Sequence, residues 1–160
     1  EAALVDACKK TKSTLALAES CTGGCITHRI TNVPGASDVL HGSMISYANK
    51  AKIDWLGVPA SSIETHGAVS EPVVREMVAG VLKESGADLA LAVSGIAGPS
   101  GGTQEKPVGT AFIAVANSAG VHVVRKLNPY DRETFKFVTS NQSLEMLRRM
   151  ALGLPVKDDL

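Results

Sequence analysis

The sequence predicts a three-layer α/β/α sandwich built on a mixed, mostly parallel sheet. Three observations carry that expectation. Short apolar runs of strand length, such as Leu15-Ala16-Leu17-Ala18, alternate with longer stretches whose apolar residues recur at helical spacing. The run over 88–93 is continuously apolar after Asp88, the mark of a central strand covered on both faces. The runs 108–116 and 121–127 are separated by Asn117-Ser118-Ala119-Gly120, which adds an antiparallel hairpin. At 160 residues the chain fits one domain, expected over 1–160 with a frayed tail from about residue 153.

Each element has its own signal. Leu4, Val5 and Cys8 share one face of a first helix ending near Lys10. A buried strand over 14–18 runs into a polar hinge, and a helix over 25–30 stops at Asn32-Val33-Pro34-Gly35. A second strand spans 39–47. The helix after it, 48–56, is stopped by Gly57 and Pro59. Ser70-Glu71-Pro72 is a helix start, with a cap, an acid in the first turn and an early proline. Val73, Val74, Met77, Val78, Val81 and Leu82 form that helix's apolar stripe, and Gly86 closes it. The central strand ends in a second glycine-rich loop, 94–102. A last helix over 131–150 offers Phe135, Val138, Met146, Leu147 and Met150 to the core.

Composition narrows the function. Sixteen basic residues balance sixteen acidic ones, which argues against a dedicated nucleic-acid or membrane-surface protein. No apolar run approaches the ~20 residues that span a bilayer. The opening Glu1-Ala2-Ala3-Leu4-Val5 lacks the basic and apolar regions of a signal peptide, so a cytoplasmic protein is expected. Cys8, Cys21 and Cys25 form no paired metal or redox signature, and His28, His41, His66 and His122 are scattered. Neither a metal nor any other cofactor is expected.

The hinge Glu19-Ser20-Cys21-Thr22-Gly23-Gly24 is the place to look for chemistry. Ligands of open α/β sheets bind at the carboxyl ends of strands, and free N–H groups at a helix start suit an oxyanion. The named nucleophile and phosphate motifs are absent. A tight turn, with Ser20 or Thr22 capping the next helix, is the competing reading. Two further stretches could converge on the same edge: Ser46-Tyr47-Ala48-Asn49-Lys50-Ala51-Lys52 and the loop from Ser94 through Gly95 and Gly98.

If Asn49 caps its helix, Lys52 lies in the first turn, where the dipole opposes a cation and lowers its pKa. Ser20 as nucleophile, Lys52 as base and Tyr47 as helper then form a self-consistent set. A solvated Lys52 and a core Tyr47 remain the alternative. Cys21 is a rival nucleophile. Arg132 either reaches a phosphate or pairs with Asp131 or Glu133. Lys106 is a second basic group near the glycine loop, and Glu19 either holds Ser20 or Lys52 in place or makes a structural hydrogen bond.

These stretches resemble the CinA C-terminal domain family, also called nicotinamide-nucleotide amidases. The likeness rests on residues 18–24, on 46–52 leading to Leu56-Gly57-Val58, and on Gly67-Ala68-Val69-Ser70-Glu71. It continues through 95–102, Lys106-Pro107-Val108-Gly109-Thr110 and Asp131-Arg132, in family order. The stand-alone form of the domain is expected. The resemblance implies hydrolysis of the carboxamide of nicotinamide mononucleotide, giving nicotinate mononucleotide and ammonia without a metal. It implies Ser20 as nucleophile and Tyr47 with Lys52 as the base system. Thr22, Gly23, Gly24, Ser94, Gly95, Gly98 and Arg132 are expected around the substrate, and Ser94 stands where the family usually has Thr. A homodimer is the family-level expectation. A nucleotide-binding regulatory module, or an amidase for another small amide, stays open.

Overall fold

A computed structural model describes residues 1–156. Five strands form one sheet: β1 (Leu15–Glu19), β2 (Leu40–Ile45), β3 (Leu89–Gly95), β4 (Thr110–Asn117) and β5 (Gly120–Leu127), in the spatial order β2-β1-β3-β4-β5. β1 pairs in parallel with β2 and β3, whereas β4 is antiparallel to both β3 and β5. Only β4 therefore runs against the rest of the sheet. The helices are α1 (Ala2–Thr11), α2 (Cys25–Thr31), α3 (Asn49–Leu56), α4 (Ala60–His66), α5 (Glu71–Ser85) and α6 (Arg132–Ala151). The three-layer α/β/α sandwich with a mixed sheet is the observed fold.

The strands alternate in side-chain size rather than in polarity. Leu15, Leu17, Leu89, Leu91, Val93, Ile113 and Val115 pack under α1, α2 and α6. On the other face Ala16, Ala18, Ala90, Ala92, Ala114 and Ala116 meet α3 and α5. Both faces are dry, which is why the central strands carry no polar alternation. The α5 stripe of Val73, Val74, Met77 and Val78 is wholly buried, each side chain contributing about 1.5–3 kcal/mol of apolar transfer. Gly80 of α5 lies against the Leu56 carbonyl at the end of α3, and a Cβ there would strike that backbone.

Several boundaries differ from the sequence reading. β1 takes in Glu19 and β3 takes in Ser94 and Gly95, because their ladders with β2 and β4 continue that far. β2 is an edge strand and stops at Ile45, opposite Glu19, which leaves Ser46 and Tyr47 in the connection to α3. The helix α4 gave no periodic signal, since it buries no residue fully and only Ile63 packs inward. Part of the expected frayed tail, 153–156, lies among the described residues. The Pro155 carbonyl accepts from Arg149 at 3.0 Å, and Val156 packs on the core. Residues 157–160 of that expected tail lie outside the described residues.

Candidate active site

The site begins with a strand alignment. Glu19 of β1 pairs with Val93 of β3, and the Ser20 N–H donates to the Val93 carbonyl at 3.1 Å. Ser20 and Ser94 thus stand beside each other at neighbouring strand ends. Ser20 meets Lys52 of α3, and Ser94 meets the loop that leads into α5.

Glu19 points the other way and fastens α2. Its carboxylate accepts from the N–H groups of Gly24, Ile26 and Thr27 at 3.1, 3.2 and 2.8 Å and from the hydroxyls of Thr22 and Thr27. This overturns two expectations. Neither the Ser20 nor the Thr22 side chain caps the helix, and its N-terminal amides are not open to an anion, because Glu19 takes those of Gly24, Ile26 and Thr27 and the Thr22 carbonyl takes that of Cys25. Thr22, Gly23 and Gly24 accordingly build the turn and do not line the cleft; both glycines hold a positive φ, 58° and 93°.

Lys52 is 1% exposed. Its Nζ donates to the Ser46 carbonyl at 2.7 Å and the Tyr47 carbonyl at 3.3 Å, and it lies 3.0 Å from Ser20 Oγ. Burial holds its pKa below the ordinary lysine range. A neutral amine has two N–H bonds and one lone pair. Carbonyls can only accept, so as an ammonium Lys52 gives its third N–H to Ser20 Oγ, and as a neutral amine it gives both hydrogens to Ser46 and Tyr47 and turns its lone pair to the Ser20 hydroxyl. The helix cap differs from the sequence reading: Ala48 is the N-cap, without a side-chain bond, and the Lys52 N–H is bonded to its carbonyl at 3.2 Å.

A cleft of about 210 Å³ opens over this pair. Ser20, Cys21, Lys52, Ser94 and Gly95 line it with Ala68, Val69 and Ala97, and Tyr47, Asn49 and Arg132 stand among its lining. Arg132 donates to the Gly98 carbonyl at 3.0 Å and to the Tyr47 hydroxyl at 2.7 Å. Among the described residues no carboxylate pairs with it, and Asp131 is occupied by the N–H groups of Glu133 and Thr134. Tyr47 is 58% exposed, so it is not a core residue. Its hydroxyl contacts Arg132, and it touches Lys52 through its backbone carbonyl. Burial pushes the Cys21 thiol up to about 12, leaving little thiolate for a rival nucleophile. Gly95 has no room for a side chain, since a Cβ would sit 2.8 Å from the Thr110 carbonyl and 3.0 Å from Cys21 Sγ. Gly98 serves through its carbonyl, and Lys106 is held outside the lining, on the His66 carbonyl at 2.7 Å.

The sequence reading missed Asn49 as a lining residue. Its amide has no protein partner among the described residues, and its place three positions before Lys52 on one helix face was the available signal. It also missed Ala68 and Val69, which reach the cleft only because α4 and the Ser94 bond place that loop.

A buried serine–lysine pair thus lies at the strand ends of an α/β sandwich, and comparison with known proteins shows the family that carries it. The CinA C-terminal domain matches residues 1–151, and the chain belongs to that family. A CinA-like protein of Geotalea daltonii is 52% identical over 92% of the chain, and one of Desulfovibrio desulfuricans is 45% identical over 98%. The chain spans just over a third of the length of these curated relatives, 36% and 38%. Among solved structures, a competence-damaged protein (CinA) superfamily protein from Klebsiella pneumoniae superposes with a TM-score of 0.91 at 29% identity, covering 95% of both chains. A competence/damage inducible protein from Agrobacterium tumefaciens gives 0.83 at 34%, covering 96% and 97%.

Proposed function

We propose that the domain hydrolyses the carboxamide of nicotinamide mononucleotide to nicotinate mononucleotide and ammonia through a serine acyl-enzyme. The observation that carries this reading is the 3.0 Å approach of Lys52 Nζ to Ser20 Oγ, with two carbonyls placed to take both hydrogens of the neutral amine. Lys52 removes the Ser20 proton as Oγ bonds to the amide carbon, and the carbonyl oxygen becomes an oxyanion. The N–H of Cys21, next after the nucleophile, is the donor we assign to that oxygen. As the C–N bond breaks, nitrogen takes the proton from Lys52 and leaves as ammonia. Water then gives its proton to Lys52 and attacks the ester carbon, and Oγ regains the proton as the acid departs.

The cleft is small enough to enclose the amide and ring while ribose and phosphate extend outward. Arg132, already bridging Tyr47 and Gly98, supplies the cation for phosphate, and the uncommitted amide of Asn49 faces the sugar. The test is ammonia release from nicotinamide mononucleotide by the wild type and by Ser20→Ala. Release that vanishes with Ser20 supports the reading. Saturable binding without ammonia would instead make the domain a nucleotide-sensing module.

A further inference from the structure

Ser94 is 1% exposed, lines the cleft and stands beside Ser20 at the neighbouring strand end. Its Oγ lies 2.8 Å from the Ala68 carbonyl oxygen. A carbonyl carries no hydrogen, so the serine must donate in this bond, and its single proton is committed. What remains on Oγ for the cleft is lone pairs. The hydroxyl presents itself there as an acceptor and nothing else.

We infer that Ser94 is a specificity-determining residue that accepts a hydrogen bond from the NH₂ of a primary carboxamide and disfavours a carboxylate or ester at the same place. This rests on the proposed deamidation and adds the reason for its preference. An amide nitrogen brings two N–H donors next to Ser20, and one of them finds Ser94 Oγ. The bond persists in the tetrahedral intermediate and is released when ammonia leaves. The carboxylate product offers only acceptors to the same lone pairs, so the cleft loses its hold on it. Ser94 neither gives nor takes a proton; it orients the leaving nitrogen.

The experiment compares nicotinamide mononucleotide with the methyl ester of nicotinate mononucleotide in the wild type, Ser94→Ala and Ser94→Thr. Loss of one neutral hydrogen bond predicts a fall of about tenfold in kcat/KM for the amide in Ser94→Ala. The ester is expected to fall much less, and inhibition by nicotinate mononucleotide to tighten. Ser94→Thr keeps the hydroxyl and restores the amide preference. An equal fall for amide and ester would overturn the inference and reduce Ser94 to a brace for the Ala68 loop. If the wild type releases no ammonia, the proposed reaction fails, and Ser94 is judged by equilibrium binding. A preference for the amide nucleotide over the acid that disappears in Ser94→Ala upholds it; no preference in the wild type overturns it.

Discussion

Glu19 and Ser20 are consecutive residues that serve opposite faces of one sheet. Glu19 is fully buried beneath α2 and satisfied by three backbone N–H groups and two hydroxyls, while Ser20 meets Lys52 on the side of α3. The backbone of Ser20 is thereby fixed by its predecessor's carboxylate. Glu19→Gln keeps the size but turns an NH₂ toward backbone N–H groups that can only donate, whichever way the amide is oriented. The expected outcome is a loss of about 2–4 kcal/mol in denaturant unfolding, with activity falling in the fraction that stays folded.

Lys52→Met should remove ammonia release by about 10³-fold or more, since the serine loses its base. The pH dependence has a definite sign. Burial lowers the Lys52 pKa from 10.5, so between that lowered value and 10.5 the unfolded chain binds more protons than the folded one. Stability from this group rises with pH across that window, and kcat/KM rises as the amine loses its proton. Unfolding scans of wild type and Lys52→Met at a series of pH values check this. The rise should be absent in the variant.

Cys21 is expected to resist iodoacetamide at neutral pH, because a thiol pushed up to about 12 is almost wholly protonated. Cys21→Ala should still release ammonia. Rapid alkylation with parallel loss of activity would make the sulfur the nucleophile.

Arg132→Ala should raise KM for nicotinamide mononucleotide about 10- to 100-fold, the scale of a charged hydrogen bond. Nicotinamide riboside, which lacks the phosphate, should change little, so the two substrates become nearly equal. Arg132→Lys should not restore the difference, since lysine cannot hold Gly98 and Tyr47 in one planar fork.

Much of this architecture is readable in the residues. The Leu–Ala runs announce β1 and β3, and Asn117 to Gly120 announces the hairpin. Ser20, Lys52 and Arg132 come together as their positions at element ends suggest. What the sequence hides is which partner each polar group takes. Thr22 looks like a residue of a ligand site, yet its hydroxyl closes on Glu19, whose own expected alternatives resolve to structural hydrogen bonds with α2. Tyr47 sits beside Lys52 in the chain, but its ring leaves across the cleft to an arginine 85 residues away. Such choices depend on long-range packing, to which local patterns are blind. The segment of α4 is equally silent, because it buries no apolar stripe.

The unequal faces of the sheet act as a spacer for the chemistry. Beneath α5 the strands β1 and β3 offer only Ala16, Ala18, Ala90 and Ala92, and Lys52, rooted in α3 beside α5, reaches the end of β1. One added methyl pair changes that clearance. Ala18→Val or Ala92→Val would lift the helical layer and draw Lys52 away from Ser20 without touching either residue. Turnover would fall while the matching change on the thick face, Leu17→Ile, leaves the gap as it was. The small side chains would thus set the distance between Lys52 and Ser20 from beneath the helices, outside the cleft itself.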